Sequence, residues 1–350
     1  MNQPAICIAG RTIGEGYAPY VIAEMSGNHN GDLGRALRLM EAAKAAGADA
    51  VKLQTYTADT ITIDHDGPGF MIEGGLWHGR KLYDLYQEAS TPWKWHETLF
   101  RRAAEISIHC FSSPFDESAV DLLERLGAPA YKIASFEIVD TMLIRRAAAT
   151  GKPLIISTGM ANTSEIDEAL AAGRNAAGVA LLHCVSGYPT PVEQANLGRI
   201  KSLAARYECP IGLSDHTLGT DVAVAAVALG ACIVEKHVTL ARADGGPDAA
   251  FSLEPDELAR LVHGARTAFS AMQPTEPGPD SCEEANRIFR RSLYAVADIK
   301  KGEMLTEANV RSIRPGFGLP PKHLPDILGR RAKHDIVRGT PMRLDMIQSS

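Results

Sequence analysis

Two lysines, Lys52 and Lys132, interrupt apolar segments that have the composition of strands. A lysine on a half-buried strand is costly unless an anion meets its ammonium group. Salt bridges to Glu24 and Glu137 would suffice for one lysine, and a Schiff-base role for one of the two stays open. Because two lysines share the pattern, we favour a site that binds a phosphate and a carboxylate. Hydroxyl groups fall at matching levels on other segments, at Ser135, Ser157 and Ser214.

Two histidines, His216 and His237, stand at the ends of consecutive apolar segments. Two imidazoles at equivalent heights on neighbouring strands can bind one metal ion and leave positions for water and substrate oxygens. The sequence offers no third protein ligand, and a lone histidine is more often structural. Glu235 shares a strand face with His237 and can point to the same place, whereas Asp215 and Lys236 are expected to face outward as structural residues.

These polar residues lie near the carboxyl ends of eight apolar segments, most of them separated by Ala-rich amphipathic stretches. Eight strand–helix units in about 250 residues predict an α/β fold, a (β/α)8 TIM barrel, whose active site lies at that end. A doubly wound sheet would need a Gly-rich phosphate turn after its first strand, and residues 25–31, MSGNHNG, do not provide one. The predicted strands are Tyr20–Ser26, Ala48–Tyr56, Ile108–Pro114, Ala130–Ser135, Pro153–Gly159, Val179–Val185, Pro210–His216 and Cys232–Thr239. The predicted helices include Leu33–Ala46, Ser118–Leu126, Thr141–Ala149, Ser164–Ala172 and Leu218–Leu229.

One connection, Asp59–Trp95, is much longer than the others and carries many aromatic residues. A connection of this length is usually functional or disordered, and its aromatic content argues against disorder. We therefore expect it to lie on the barrel face where the site is built. A packed subdomain without a role in the site is the alternative.

The composition excludes several classes of protein. The chain has 350 residues, 45% of them apolar and 22% charged, and a net charge of −6, so a nucleic-acid partner has no electrostatic support. We find neither an apolar run long enough to span a membrane nor a signal peptide. Six scattered cysteines without a C-x-x-C pair predict reduced thiols in a cytoplasmic protein.

A shift to Pro, Gly and acidic residues around 271–286 predicts a linker. We place the barrel domain at 1–272, the linker at 273–287 and a second domain at 288–350. The second domain has short β-like runs at Ser292–Val296 and Val310–Ile313 and a locally basic composition. Because it is small for independent stability, we expect it to dock on another surface.

Six segments of the barrel resemble the sialic acid synthase family, and two segments of the tail resemble its C-terminal antifreeze-protein-like (SAF, β-clip) domain. The resemblance covers nearly the whole chain, and the motifs of both domains come in the right order. The barrel segments are 23–31 (AEMSGNHNG), 52–56 (KLQTY), 131–135 (YKIAS), 157–159 (STG), 212–217 (GLSDHT) and 235–237 (EKH). The tail segments are 290–293 (RRSL) and 313–316 (IRPG).

The resemblance implies an enzyme that condenses phosphoenolpyruvate with the open-chain aldehyde of an N-acetylated amino sugar and releases phosphate. It implies that His216 and His237 bind a divalent metal ion, Mn²⁺ or else Mg²⁺ or Co²⁺. Glu24 and Glu137 match acidic residues near the reacting carbons. It also implies a homodimer in which the C-terminal domain of one chain covers the barrel of the other and directs Arg314 toward the acyl group of the sugar. The matching phosphoenolpyruvate binders are Lys52, Lys132, Ser135, Ser157 and Ser214, and the matching sugar contacts are Gln54, Tyr188 and Asp248.

Three departures within the resemblance point to the pseudaminic acid branch of the family. Ala249 follows Asp248, where the sialic and legionaminic branches typically have His. Ser186, which we also count as a substrate-binding residue, stands where the sialic branch usually has Asn, and residues 75–79 (GLWHG) form an aromatic loop. Loss of polar groups fits a sugar that lacks a 6-hydroxyl, because a buried polar group without a partner is costly. The implied sugar is 2,4-diacetamido-2,4,6-trideoxy-L-altrose, which would give pseudaminic acid and phosphate by C–O cleavage.

Three alternatives remain open from the sequence. The same chemistry could act on the precursor of N-acetylneuraminate or of legionaminate. A Schiff-base aldolase could use Lys132 and free pyruvate. A non-catalytic protein that binds phosphate and sugar is the third alternative, and the full set of polar groups at the strand ends argues against it.

Overall fold

The computed structural model describes residues 4–273, 278 and 280–348, and the chain divides into two compact units between Gln273 and Pro274. The first unit begins with an antiparallel hairpin of β1 (Ala5–Ile8) and β2 (Arg11–Gly14). Eight parallel strands follow and form a closed barrel: β3 (Tyr20–Glu24), β4 (Ala50–Thr55), β5 (His109–Pro114), β6 (Tyr131–Ile133), β7 (Leu154–Ser157), β8 (Val179–Cys184), β9 (Ile211–Asp215) and β10 (Ile233–His237). β10 pairs with both β9 and β3 and so closes the ring. The eight predicted strands are confirmed, with ends that agree within two residues.

Helices surround the barrel and fill most of the connections between its strands. Several begin where a side chain accepts hydrogen bonds from the free N–H groups of the first turn, as Asp32 and Asn162 do. After the first helix, Gly47 takes a φ of 87°, a conformation that glycine adopts at little cost. The helices of the first unit are α1 (Leu33–Ala45), α2 (Ala58–Ile61), α3 (Leu82–Ala89), α4 (His96–Glu105), α5 (Glu117–Arg125), α6 (Thr141–Ala148), α7 (Thr163–Ala172), α8 (Gly198–Arg206), α9 (Asp221–Ala228) and α10 (Pro255–Ala271).

The interior of the barrel is apolar at the amino ends of the strands and polar at their carboxyl ends. Side chains alternate between the two faces of each strand, so residues two apart share the interior. The hairpin packs against the apolar part and closes that end of the barrel. This buried cluster contains Ile6, Ile8 and Ile13 of the hairpin together with Tyr20, Ile22, Ala50, Phe111, Ala130, Ile155, Ala180, Leu182, Cys232 and Ile233.

Two parts of the first unit differ from the sequence-based expectation. The hairpin β1–β2 was not predicted, because each of its strands has only four residues. The long connection Asp59–Trp95 is partly helical, since it contains most of α2 and all of α3. No helix among the described residues is both long enough and apolar enough to cross a membrane.

The second unit has its own small core. β11 (Ser292–Ala295) and β12 (Val310–Ile313) pair antiparallel, as the two β-like runs predicted, and a short helix, α11 (Leu324–Ile327), follows. The predicted linker at 273–287 includes 274–277 and 279, which lie outside the described residues. The buried apolar side chains of this unit are those of Leu293, Ala295, Ile299, Leu305, Val310, Ile327, Ala332, Ile336, Met342, Met346 and Ile347.

Candidate active site

Lys52 lies inside the barrel with its ammonium group fully surrounded by polar atoms. Its Nζ is 2.9 Å from Glu24 Oε2, 3.7 Å from Glu235 Oε1 and 3.1 Å from Ser113 Oγ. Burial alone would lower the pKa of Lys52, but the carboxylates of Glu235 and Glu24 raise it overall. The two carboxylates therefore favour the charged form of Lys52 in this buried position.

Lys132 lies on the neighbouring side of the same cavity. Its Nζ donates to Ser157 Oγ at 2.7 Å and is 3.7 Å from Glu235 Oε1. Burial lowers the pKa of Lys132, and the nearby charge of Lys52 adds to that effect. Both ammonium groups thus lie near Glu235, and Lys52 also contacts Glu24, so the two lysines are placed where one anion can meet both of them.

The hydroxyl groups predicted at matching levels surround these lysines. Ser214 Oγ donates to Glu235 Oε1 at 3.1 Å, and the N–H of Gly159 donates to Ser135 Oγ at 3.2 Å. A Cβ added to Gly159 would lie 2.4 Å from Ser186 Oγ and 2.6 Å from Ser135 Oγ. Glycine at this position therefore keeps open a cradle of hydroxyl groups, which suits a phosphate or carboxylate group.

His216 and His237 lie side by side, with ring centroids 5.3 Å apart. His216 Nδ1 is 3.0 Å from the carbonyl oxygen of Val185, so an Nδ1–H donor there leaves Nε2 free as a ligand. His237 Nδ1 is buried without a hydrogen-bond partner among the described residues. Burial lowers the pKa of His237 well below its usual value, and the charges of His216 and Lys52 add to the effect. A neutral imidazole with a free nitrogen is the form that binds metal.

The donor set for a metal ion stops at these two imidazoles. No group of three or more His, Cys, Asp or Glu side chains in the described parts of the chain is arranged to hold a metal ion. Asp248 Oδ2, at 3.7 Å from His237 Nδ1, is the nearby carboxylate. The two imidazoles would fit a metal ion only if water and substrate supplied its remaining ligands.

A chain of hydrogen bonds links the lysine side of the cavity to the histidine side. Gln54 Nε2 donates to Glu24 Oε1 at 2.8 Å and to Ser26 Oγ at 3.0 Å. Ser26 Oγ in turn donates to Asp248 Oδ2. Asp248 lies beside His237, and Glu24 contacts Lys52. The predicted sugar contacts Gln54 and Asp248 therefore belong to one network that runs from Lys52 to His237.

An aromatic wall borders the histidines. The ring of Tyr188 lies 4.3 Å from that of His216 and 5.4 Å from that of Phe251, and Phe251 lies 5.0 Å from His237. Trp77, from the long connection, extends the wall with its ring 5.5 Å from Tyr188, and its Nε1 donates to the carbonyl of Pro247 at 2.8 Å. The long connection therefore contacts the site, as its position after a barrel strand predicted.

Two carboxyl groups of the site have pKa values close to neutral pH. Burial raises the pKa of Glu24 to about 7 in spite of the contact with Lys52. Burial likewise raises the pKa of Glu137 to about 7, and the charge of Lys132 opposes the shift. Glu137 Oε2 is buried with no hydrogen-bond partner in the described part of the chain, which leaves it free to meet a ligand or a water molecule.

The structure brings the predicted barrel residues together, and it adds Glu235 to them. Glu235 lies near both lysines, although the sequence analysis predicted only that it faces the mouth of the barrel. Its position two residues before His237 was the signal for a larger role. Arg314 is exposed directly after β12 in the second unit. Asp215 and Lys236 do not join the site but bond to each other, with Lys236 Nζ 2.7 Å from Asp215 Oδ2.

Comparison with known proteins identifies the family. Residues 39–276 match the model of the NeuB family, and residues 290–348 match that of the SAF domain. The chain belongs to the NeuB family. The resemblance drawn from the motifs is thereby confirmed, and so are the barrel and the SAF domain of the predicted fold.

Relatives of this NeuB chain include several named synthases. The pseudaminic acid synthase of Campylobacter jejuni is 46% identical over 93% of this chain and 95% of its own length. That of Helicobacter pylori is 43% identical over 95% of this chain and 98% of its own. The N,N'-diacetyllegionaminic acid synthase of Campylobacter jejuni is 38% identical over 89% and 95%.

Among solved structures, this NeuB chain is similar to the N-acetylneuraminic acid synthetase of Leptospira borgpetersenii, which was determined in complex with citrate. The TM-score is 0.73 and the identity 34%, with 81% of this chain and 95% of that chain covered. The overlap extends the family assignment to the three-dimensional structure.

Proposed function

We propose that the chain is a pseudaminic acid synthase that condenses phosphoenolpyruvate with 2,4-diacetamido-2,4,6-trideoxy-L-altrose and water. The observation that carries the proposal is the pairing of two buried lysines and a hydroxyl cradle with two adjacent histidines at one end of the barrel. The identity of 43–46% with pseudaminic acid synthases supports the choice of sugar. The products are pseudaminic acid and phosphate.

The lysines bind the donor and hold it for attack. Lys52 and Lys132 neutralise the phosphate and carboxylate of phosphoenolpyruvate, while Ser135, Ser157 and Ser214 bind the remaining oxygens. A divalent ion on His216 and His237, Mn²⁺ or else Mg²⁺ or Co²⁺, would polarise the sugar aldehyde. Fixed placement of both substrates makes the bimolecular step effectively unimolecular.

Glu137 is the group that we assign to water activation. The C=C bond of the donor supplies the electrons for a bond between its methylene carbon and the aldehyde carbon. The aldehyde C=O π bond breaks, its oxygen takes a proton from solvent and becomes a hydroxyl group, and positive charge develops at the second carbon of the donor. Water adds to that second carbon and gives a proton to Glu137. The tetrahedral intermediate then loses phosphate: the bond between this carbon and the phosphate ester oxygen breaks, and the new hydroxyl group gives up its proton as it becomes the keto oxygen. A carboxyl group with a pKa of about 7 and a free oxygen suits this task better than Glu24, which is already bound to Lys52 and Gln54.

The proposal includes a cytoplasmic homodimer in which the C-terminal domain of one chain covers the barrel of the other. The exposure of Arg314 after β12 supports this part, since the side chain is available to a partner. All six cysteines, which lie among the described residues, are free of disulfides, as suits a reducing compartment.

The test is phosphate release from phosphoenolpyruvate with Mn²⁺ and a panel of diacetamido and N-acetyl sugars, followed by mass analysis of the product. We expect release with the trideoxy altrose and little with N-acetylmannosamine or the legionaminic precursor. Lys132→Met should lower the rate by about 100-fold or more. Lys44→Met, which removes an exposed lysine bonded to the Ser107 carbonyl, should not. Release with no sugar and no metal would reject the proposal.

Two further measurements test the mechanism. In water labelled with heavy oxygen, label should enter the keto acid, and label in the released phosphate would reject C–O cleavage. His216→Ala should abolish metal-dependent activity, and full activity in this variant would reject the metal assignment. Borohydride trapping of pyruvate on Lys132 in the presence of a chelator would support an aldolase instead.

A further inference from the structure

Lys52, Lys132 and Ser214, which we assign to the binding of phosphoenolpyruvate, all lie close to one carboxylate oxygen of Glu235. Glu235 Oε1 is 3.7 Å from the Nζ of Lys52, 3.7 Å from the Nζ of Lys132 and 3.1 Å from Ser214 Oγ. The side chain of Glu235 is 5% exposed, and those of the two lysines are 4% and 2% exposed. The surroundings of Glu235 Oε1 are therefore those that we propose for an oxygen of phosphoenolpyruvate.

The contacts of Glu235 with the lysines are loose compared with the other contacts of the same lysines. At 3.7 Å each, they exceed hydrogen-bond length, whereas Lys52 approaches Glu24 at 2.9 Å and Lys132 approaches Ser157 at 2.7 Å. The other oxygen, Glu235 Oε2, has no hydrogen-bond partner among the described residues. Glu235 supplies charge to the lysines without fixing their positions.

The buried pair outside the site shows what a fixed ion pair looks like in this barrel. Lys236 Nζ lies 2.7 Å from Asp215 Oδ2 and also donates to the carbonyl of Thr217. Compared with that pair, Glu235 is an incompletely bonded anion between two cations. Without it, two buried ammonium groups would share only the charge of Glu24, which is costly in a site of low polarity.

We propose that Glu235 is an internal counter-ion that competes with the phosphate or carboxylate group of the ligand for Lys52 and Lys132. It keeps the lysines charged in the absence of ligand, and it weakens the binding of the inorganic phosphate that remains after reaction. The inference rests on the proposed function for the identity of the ligand. It assigns Glu235 a role in ligand release, distinct from that of the residues that hold the ligand.

The test measures the binding of inorganic phosphate to the full chain by calorimetry, with a chelator present so that phosphate cannot bind a metal ion. Glu235→Gln keeps the shape and removes the charge, and we expect about fivefold or tighter phosphate binding. Glu124→Gln is the control, because it removes a carboxylate that pairs with Lys152 outside the site. It should change the affinity less than Glu235→Gln does.

If Glu235→Gln does not fold, Glu235→Asp replaces it in the test. This variant keeps the charge and moves the carboxylate away from the lysines by the length of one methylene group. We expect it to bind phosphate more tightly than the parent chain, though less tightly than Glu235→Gln. In the condensation assay, the variants should show stronger inhibition by added phosphate. Unchanged or weaker phosphate binding in a folded variant would overturn the inference and make Glu235 purely structural.

The two proposals fail separately. If the parent chain condenses phosphoenolpyruvate with a sugar and the Glu235 variants bind phosphate no more tightly, only the counter-ion role is lost. If the parent chain performs no condensation, the proposed function is lost, and the phosphate affinities still decide whether Glu235 competes for the lysines.

Discussion

Single carboxyl groups make the site sensitive to pH in the neutral range. Glu24 and Glu137 both have a pKa of about 7 because burial disfavours the charged form. Glu24 is compensated by the ammonium group of Lys52, whereas the Oε2 atom of Glu137 has no hydrogen-bond partner within the described residues. The two groups therefore reach a similar pKa through different balances of burial and nearby charge.

We predict that Glu137 contributes a fall in the free energy of unfolding as pH rises from 4.5 to 7, and that Glu137→Gln removes this contribution from the pH dependence of the chain. The folded-state pKa of about 7 lies above the ordinary value of 4.5, so the folded state binds the proton more tightly than the unfolded chain. This stabilisation is fully present below pH 4.5 and is lost as pH passes through 7. The share of Glu137 is at most about 3 kcal/mol.

Urea unfolding at several pH values measures this slope. Glu73→Gln, a change at an exposed position of the long connection, should keep the slope of the parent chain. A slope unaltered by Glu137→Gln would mean that Glu137 ionises as readily in the folded chain as in the unfolded one.

Single polar residues within apolar strands were enough to predict most of the site. Lys52, Lys132, His216 and His237 stand out because polar side chains are rare inside a barrel strand. Of the two carboxylates expected as partners, Glu24 pairs with Lys52, whereas the partner of Lys132 is Glu235 and not Glu137. The stagger between neighbouring strands decides which side chains meet, and it is not visible in the order of residues along the chain.

At the scale of elements, the long connection acts on the site through one tryptophan. Trp77 bonds to the carbonyl of Pro247, directly before Asp248, and its ring lies against Tyr188. Both Asp248 and Tyr188 are assigned to the sugar. The connection therefore contacts, through Trp77, the part of the cavity that we assign to the sugar.

We predict that Trp77→Phe raises KM for the sugar by about fivefold, the loss of one hydrogen bond, and leaves KM for phosphoenolpyruvate unchanged. The phenyl ring keeps the contact with Tyr188 and loses the N–H group that bonds to Pro247. Steady-state kinetics with each substrate varied in turn separates the two effects.

Trp93→Phe is the matched control for this prediction. Trp93 belongs to the same connection, and its Nε1 has no hydrogen-bond partner in the described part of the chain. Both KM values should therefore remain those of the parent chain. An equal rise in both KM values for Trp77→Phe would point to a general loss of structure.

Elements with a strong periodic signal were predictable, and those held by tertiary packing were not. The barrel strands carry continuous apolar runs, so they were found with errors only at their ends. β1 and β2 have four residues each and derive their stability from packing on the barrel. α2 and α3 were missed because polar and aromatic residues within Asp59–Trp95 hide their short helical pattern.

At the scale of the whole molecule, the proposed dimer makes a prediction about mixed chains. If Arg314 serves the barrel of the partner, a chain with His216→Ala and a chain with Arg314→Ala each lack activity alone. In a mixed dimer, the barrel with intact His216 receives the intact Arg314 of the other chain. Random mixing of equal amounts should restore about a quarter of the parent activity, given a two-fold dimer.

The measurement is phosphate release after the two variants are unfolded and refolded together, compared with the sum of the separately refolded variants. Mixing His216→Ala with His237→Ala is the control, since both changes lie in the barrel and no mixed dimer gains a complete site. Activity no higher than the sum in the first mixture would show that Arg314 acts in its own chain or not at all.

The hairpin closes the amino end of the barrel. The same eight strands therefore carry an apolar core at one end and the candidate active site at the other. Ile6, Ile8 and Ile13 complete an apolar core there, while the lysines and histidines of the candidate site lie toward the carboxyl ends of the strands. Improved packing among these isoleucines can therefore raise thermal tolerance without altering turnover. An engineer who wants a more durable catalyst should begin at this base.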